Sequence, residues 1–385
     1  MTGVRCFVKS SLAVLALPVL MAGTALAQGT VKIGALLAVT GPAAFLGEPE
    51  EKTLKMYVEE LNAKGGVNGQ KIELVIYDDG GDASKTRTFA QRLVEEDKVV
   101  AILGPSTSGP TMAISQVVED AGIPLISFGG AAVIVQPMKK FVFKTPHSDR
   151  MACEKVFEDM KKKKLTKAGL ITGTDAFGKS IREGCIAAAP TYGVEIVGDE
   201  TYNPTDKDMT PQLTNLKNKA GIQAIMSGSF GAPAAIVTKN VKQVGVTVPF
   251  YQNHGVASKS WIDLSGDAAE GVLLPAAAVL VADKLADSDP QKKVALAYKT
   301  TYEKATGKPI STFGGHAYDG LMILVEAMQR AKTSDPKKVR DEIEKTKGFI
   351  GTAGIFNMTD KDHMGLDLAA FKMVTVKGGN WQLAE

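Results

Sequence analysis

Between Ala101 and Ala132 the chain reads AILGPSTSGPTMAISQVVEDAGIPLISFGGAA, an order of residue types that few folds accommodate. An apolar strand runs into a loop of small hydroxylated residues, Pro110 opens a helix, a second apolar strand starts at Pro124, and a glycine-rich loop follows. Proline suits a first helical turn because the N–H it lacks would find no partner there. Ser108 is then the expected N-cap, with its hydroxyl and the first free N–H groups of the helix facing out of the carboxyl end of the sheet, a setting that binds anions. Two such loops side by side beyond the ends of parallel strands form the ligand crevice of an open α/β sheet. We therefore expect Ser106, Thr107 and Ser108, together with the loop Ser127 to Ala131 (Gly129, Gly130 and Ala131), to hold the acidic head of a small molecule. Two ordinary capped βα turns would use the same residues.

Strands and helices alternate on either side of this stretch. Before it come an expected strand Val31 to Val39, a helix from about Gly47 to Asn62, a strand Lys71 to Tyr77 and a helix Ala83 to Glu96. Alternation of this kind implies a parallel sheet with right-handed crossovers. The segment Phe141 to Thr145 ends abruptly at Pro146, and the βα pattern restarts with expected strands Ala168 to Thr172, Val194 to Val197, Ala224 to Met226 and Val248 to Tyr251. A chain of 385 residues exceeds the usual single-domain size, so two α/β lobes are expected. The run VLLPAAAVLV after Gly271 reads as a connection back to the first lobe, because Pro275 weakens a central-strand assignment. Helices are expected at Pro290 to Thr306, Gly315 to Ala331 and Pro336 to Thr346; Gly351 to Met358 and Asp367 to Val376 then alternate like two antiparallel strands joined by TDKDHMG.

The N-terminus carries Arg5 and Lys9, an apolar run Leu12 to Met21 and the A-x-A pattern Ala25-Leu26-Ala27. This is the pattern of a cleaved secretory signal peptide, residues 1–27, and implies that the mature protein is exported. The whole chain has a formal charge of +3, two units of which leave with the signal. The near-neutral remainder argues against nucleic acid or an acidic membrane surface as partner. Cys153 and Cys185 remain after cleavage; both fall in expected helices, their spacing fits no metal motif, and whether they pair is open.

Gly173 to Ser180, GTDAFGKS, satisfies the P-loop pattern letter for letter, after a strand and before a helix. Export to a compartment poor in nucleotide, and no following apolar strand that ends in Asp, weigh against nucleotide binding. No nucleophile and base stand at useful spacing, and His147, His254, His316 and His363 are scattered without metal-ligand spacing. A catalyst is not expected, nor a metal or any cofactor.

Several phrases together, VKIGALLAVTGPAAFLG, LNAKGGVNGQKIELVIYDD, VVAILGPSTSG, AGIPLISFGGAA, FVFKTPHSD and AYDGLMILVEAM, resemble the periplasmic Leu/Ile/Val-binding proteins, the solute receptors of ABC transporters. The resemblance implies a type I periplasmic-binding fold, α/β in class: two Rossmann-like lobes with parallel sheets, joined by a three-segment hinge and closing over one ligand. It implies lobe one at 28–144 and 276–355, lobe two at 145–275 and 356–385, a membrane permease as partner, and a monomer. In such receptors the serine loop and the second loop hold the carboxylate of an amino acid, and an acid of lobe two holds its ammonium. Ser108 matches. The usual tyrosines are replaced by Leu46, Phe177 and Phe230, the second loop ends in Ala131, and the position of the acid is His254 in YQNHGVA. A buried ammonium without an anionic partner costs several kcal/mol. The expected ligand is therefore a small carboxylic acid without an amino group, with an aromatic or aliphatic body walled by Phe177, Phe230 and Phe313. A branched-chain or other hydrophobic amino acid is the alternative, and a sensor module that presents its ligand to a membrane receptor fits the same residues. His254 would face the ligand after closure, and a bound anion would raise its pKa above the usual 6.5 or so.

Overall fold

The computed structural model describes residues 1–4 and 29–384; the expected cleavage site after Ala27 lies outside them. The first sheet is built from β1 (Thr30–Leu37), β2 (Lys71–Asp78), β3 (Ile102–Leu103), β4 (Leu125–Ser127) and β5 (Val142–Lys144), interleaved with α1 (Ala44–Ala63), α2 (Ala83–Glu95) and α3 (Ser108–Ala121). Its order is β2-β1-β3-β4-β5, and every pairing is parallel. Parallel strands are covered on both faces and so read as unbroken apolar runs; Ile33, Leu103, Ile126 and Phe143 are fully buried. Asp82 accepts from the Lys85 N–H at 2.8 Å, which starts α2 where the sequence places its cap.

A second βα series follows: α4 (Asp149–Lys162), β6 (Lys167–Gly173), α5 (Ala176–Ala188), β7 (Glu195–Tyr202), α6 (Thr210–Lys217), β8 (Ala224–Gly228), α7 (Gly231–Gln243), β9 (Phe250–Tyr251), α8 (Lys259–Ser265) and β10 (Leu273–Ala277). The remainder comprises α9 (Lys292–Thr306), α10 (Thr312–Ala331), α11 (Pro336–Glu344), the ribbon of β11 (Lys347–Ile350) and β12 (Ile355–Asn357), then β13 (Phe371–Lys377) and β14 (Asn380–Leu383). The second sheet has the order β14-β13-β10-β9-β8-β6-β7.

The last helices return to the first sheet. The Tyr298 and Thr53 hydroxyls are 2.8 Å apart, and Tyr57 packs edge-on to Tyr318 with ring centroids 4.7 Å apart. Buried Asp319 of α10 fastens the ribbon by accepting from the Thr352 and Ala353 N–H groups at 2.7 and 2.9 Å. The chain thus passes between the sheets after Lys144, after Ala277, and between His363, whose carbonyl accepts from the Lys144 N–H, and Phe371. At this junction the His147 ring stacks on Phe371, centroids 3.8 Å apart.

Two expectations fail here. The run containing Pro275 is a strand inside the second sheet, because the Leu273 carbonyl accepts from Gln252 N and pairing with β9 then stops. Pro275 therefore faces the side on which no neighbour needs its missing N–H, while Leu274 pairs with Val374 on the other. β10 also spans the lobe boundary expected at 275/276. The two tail segments do not pair with each other: β12 pairs with β11, and β13 with β10 and β14. Cys153 and Cys185 form a disulfide that joins α4 to α5, their Cα atoms 5.0 Å apart.

Candidate ligand-binding site

A pocket with about 410 Å³ of empty space, counted out to its mouth, opens where α3 and the loop after β4 face α5, α7 and the turn after β9. Leu46, Ser106, Thr107, Ser108, Gly130, Phe177, Phe230, His254 and Phe313 line it, all named from the sequence, and Phe128, Pro146, Gly255 and His316 join them. Gly129 and Ala131 are buried behind this surface and do not line it.

Local geometry explains the polar end. Thr107, with φ −126° and ψ 157°, is the N-cap of α3, and Ser108 is the first helical residue, one place later than the expected cap. The Thr107 side chain makes no capping bond, and among the described residues no protein acceptor meets the N–H groups of Ser108, Gly109 or Gly130. Ser108 is freed from capping because its Oγ accepts instead from the Ala131 N–H at 3.1 Å. That is the physical reason Ala131 is not a lining residue: its one donor is spent on bracing the serine. A second brace joins Thr111 Oγ1 to Ser127 Oγ at 2.8 Å, and Ser127 Oγ accepts from the Gly129 N–H at 3.0 Å.

Ser106 is anchored from behind. Its Oγ accepts from the Ala38 N–H at 3.0 Å and is bonded to the Glu50 carboxyl of α1. Burial pushes the Glu50 carboxyl well above its ordinary pKa, against the hydrogen bond from Ser106. Glu50 was not singled out from the sequence; its place one turn after Leu46 on the same face of α1 was the available signal. On α10 the i,i+3 spacing likewise puts His316 beside Phe313.

The walls are apolar. Phe177 and Phe230 stand at the openings of α5 and α7, ring centroids 5.8 Å apart, and Phe45 bridges from α1 to Phe230 at 6.3 Å and to Phe313 at 5.6 Å. The P-loop pattern is accounted for by this wall. Asp175 accepts from the Phe177 and Gly178 N–H groups at 3.0 and 3.2 Å, so a side-chain carboxylate already occupies the donors a phosphate would need.

Behind the glycine loop lies a buried cationic group. Lys144 Nζ donates to the Gly130 carbonyl at 2.6 Å and to the Ala131 carbonyl at 3.4 Å. Burial lowers its pKa to about 7, against the opposing pull of Asp149. His254 sits on a stiff turn, since the Asn253 side chain accepts from the Gly255 N–H and donates to the Ser227 and Ser229 carbonyls. Neither ring nitrogen of His254 has a well-aligned hydrogen-bond partner. Burial first, and then Lys144, lower its pKa to about 3 in this ligand-free form, so the ring is neutral. His316 is likewise lowered to about 3 by burial and Lys144, and its Nδ1 is unpartnered. The assembly offers N–H and O–H donors to an anionic head, apolar walls to a body, and no carboxylate among its lining residues.

The comparisons with known proteins agree with this architecture. The family model described as periplasmic binding protein matches residues 30–380. The leucine-, isoleucine-, valine-, threonine- and alanine-binding protein of Pseudomonas aeruginosa is 28% identical over 84% of this chain and 84% of its own. Leu/Ile/Val-binding protein homolog 7 of Brucella abortus is 26% identical over 96% of both chains. Among solved structures, a Rhodopseudomonas palustris protein superposes with a TM-score of 0.86 at 28% identity, covering 93% of this chain and 100% of that one. The branched-chain amino acid transporter substrate binding protein of Streptococcus pneumoniae, in complex with isoleucine, does so at 0.81 and 26% identity, covering 92% and 99%. These relatives are solute-binding proteins rather than enzymes, and the fold they share is the type I periplasmic-binding fold. With its family matched from residue 30 to residue 380, this chain is a member of the periplasmic binding protein family.

Proposed function

We propose that the protein is the exported solute receptor of an ABC transporter and that it takes a small carboxylic acid without an amino group, with an aromatic or medium-length aliphatic body. One observation carries this reading: the residues that line the pocket include no Asp or Glu. An ammonium buried there would lack a counter-charge, at a cost of several kcal/mol. In this reading the Ser108 hydroxyl and the N–H groups of Ser108, Gly109 and Gly130 hold the carboxylate. Leu46, Phe177, Phe230 and Phe313 enclose the body, and Ser106 and Thr107 shape the loop. The segments 28–144 with 276–355 and 145–275 with 356–385 act as lobes that close on the ligand, β10 remaining with the second, and the closed monomer docks on a membrane permease.

A hydrophobic amino acid is the second reading, favoured by the printed ligands of the Pseudomonas and Streptococcus relatives. A thermal-shift screen of the mature protein against amino acids, aromatic acids and aliphatic acids separates the two. A ligand at a hundred times its Kd stabilises by about 2.7 kcal/mol. The largest shift is expected from an acid lacking the amino group; the largest shift from leucine, isoleucine or valine overturns the first reading.

A further inference from the structure

The carboxylate donors described above already match what one carboxylate can accept before His254 is counted. The Ser108 hydroxyl and three main-chain N–H groups face a head whose two oxygens offer about four acceptor positions. His254 is left over. It is 7% exposed and lines the pocket, and among the described residues its ring nitrogens have no well-aligned hydrogen-bond partner, the His147 carbonyl being the one main-chain acceptor that approaches the ring. Its Nε2 lies 3.0 Å from the point a Cβ on Gly130 would occupy, so the nitrogen stands directly over the glycine whose N–H meets the carboxylate. Phe177 and Phe371 hold the ring from two sides, centroids 5.5 and 5.6 Å away. A buried polar atom without a well-aligned protein partner that also lines the pocket is open to a bond from the ligand.

We propose that the ligand is an α-oxygenated acid, an α-keto or α-hydroxy carboxylate, and that His254 bonds the oxygen on its α-carbon. The atom next to a carboxylate held by Gly130 is the α-carbon, and His254 is the polar lining side chain beside Gly130 that is left to meet a substituent on it. A neutral imidazole presents one N–H and one lone pair, which match a keto oxygen or a hydroxyl. It supplies no negative charge for an ammonium, and the buried Lys144 behind the loop disfavours one further. An unsubstituted acid would leave the His254 nitrogen without a partner in the closed pocket, where water has little room to replace it. The inference rests on the proposed class of acids without an amino group and narrows it.

The test is titration calorimetry of the mature protein with two matched series: ketoisocaproate, hydroxyisocaproate, isocaproate and leucine; and phenylpyruvate, phenyllactate, hydrocinnamate and phenylalanine. In at least one series the α-oxygenated acid is expected to bind about ten- to a hundredfold tighter than the unsubstituted acid. In His254→Leu that gap is expected to close to within about threefold, the oxygenated acid losing the most affinity. Equal binding of oxygenated and unsubstituted acids by the parent protein overturns the inference and leaves the proposed function standing. Tightest binding of leucine or phenylalanine, or no binding by any member, overturns both. A uniform loss across the acids in His254→Leu puts the ring on the carboxylate and also overturns the inference. The parent protein's own series decides the matter if that variant does not fold.

Discussion

Removing the Ser108 hydroxyl separates what the loop does for the ligand from what it does for the fold. Ser108 is 3% exposed, and its Oγ accepts from the Ala131 N–H at 3.1 Å, which leaves its hydrogen for the proposed carboxylate. A hydrogen bond to a charged group contributes about 1.5 to 3 kcal/mol, so Ser108→Ala is expected to raise Kd roughly 10- to 150-fold. The same change strands the buried Ala131 N–H, at a cost of about 1 to 3 kcal/mol of stability. That second cost is present in the free and the bound protein alike and drops out of the affinity. Calorimetry with the best acid from the screen reads the first quantity, and the melting temperature of ligand-free protein reads the second. Thr111→Val is the control: its hydroxyl meets Ser127 Oγ at 2.8 Å one turn deeper and does not line the pocket, so it should lower stability and leave affinity within about threefold. If Ser108→Ala loses stability but keeps the parent affinity, the serine is a brace for the second loop and the assignment of a carboxylate to it is refuted.

Two further outcomes are expected. An anion bound in front of the Gly130 loop raises the pKa of Lys144 above its ligand-free value of about 7; affinity should then be greatest below that pH and fall as pH rises through the window up to the bound-state value, and calorimetry near pH 7.5 in buffers of different ionisation enthalpy should show net proton uptake. Zero uptake would place the anion elsewhere. The pair Cys153→Ala and Cys185→Ala opens a link spanning a sequence separation of 32, which should cost about 3.5 kcal/mol of stability while leaving affinity unchanged, since neither residue lines the pocket; an altered affinity would mean that α4 and α5 must be tied to position Phe177.

The frame was legible because parallel strands leave their mark residue by residue. Ile33, Ile126 and Phe143 sit in apolar runs that only a doubly covered sheet explains, and Asp82 and Asp335 announce helix starts by local chemistry that the structure repeats. β10 was misread because a proline's meaning depends on what lies beside it: the end of β9 at Tyr251 is a tertiary fact, absent from the local string. The partners of β12 and β13 were misassigned for the same reason, since alternation identifies a strand but not its neighbour. In the site, small hydroxylated and aromatic residues on loops were readable as lining. Lys144 and Glu50 were not, because each reads as an ordinary charged residue until the fold buries it.

Lys144 also fixes the peptide of the second loop that braces Ser108. The peptide between Gly130 and Ala131 is held at both ends: its carbonyl accepts from Lys144 Nζ at 2.6 Å, and its N–H donates to Ser108 Oγ at 3.1 Å. A proposed carboxylate on the Ser108 hydroxyl completes a line of dipoles from a buried ammonium, through one peptide and one hydroxyl, to an anion. Each bond in such a chain polarises the next, so the cation attracts the ligand without touching it and without exposing a lysine that would bind anions indiscriminately. The same line accounts for a histidine standing opposite the cation. With Lys144 behind the loop, an acid opposite would pair with the lysine instead of the ligand, whereas a neutral imidazole leaves the ammonium's field directed at the carboxylate.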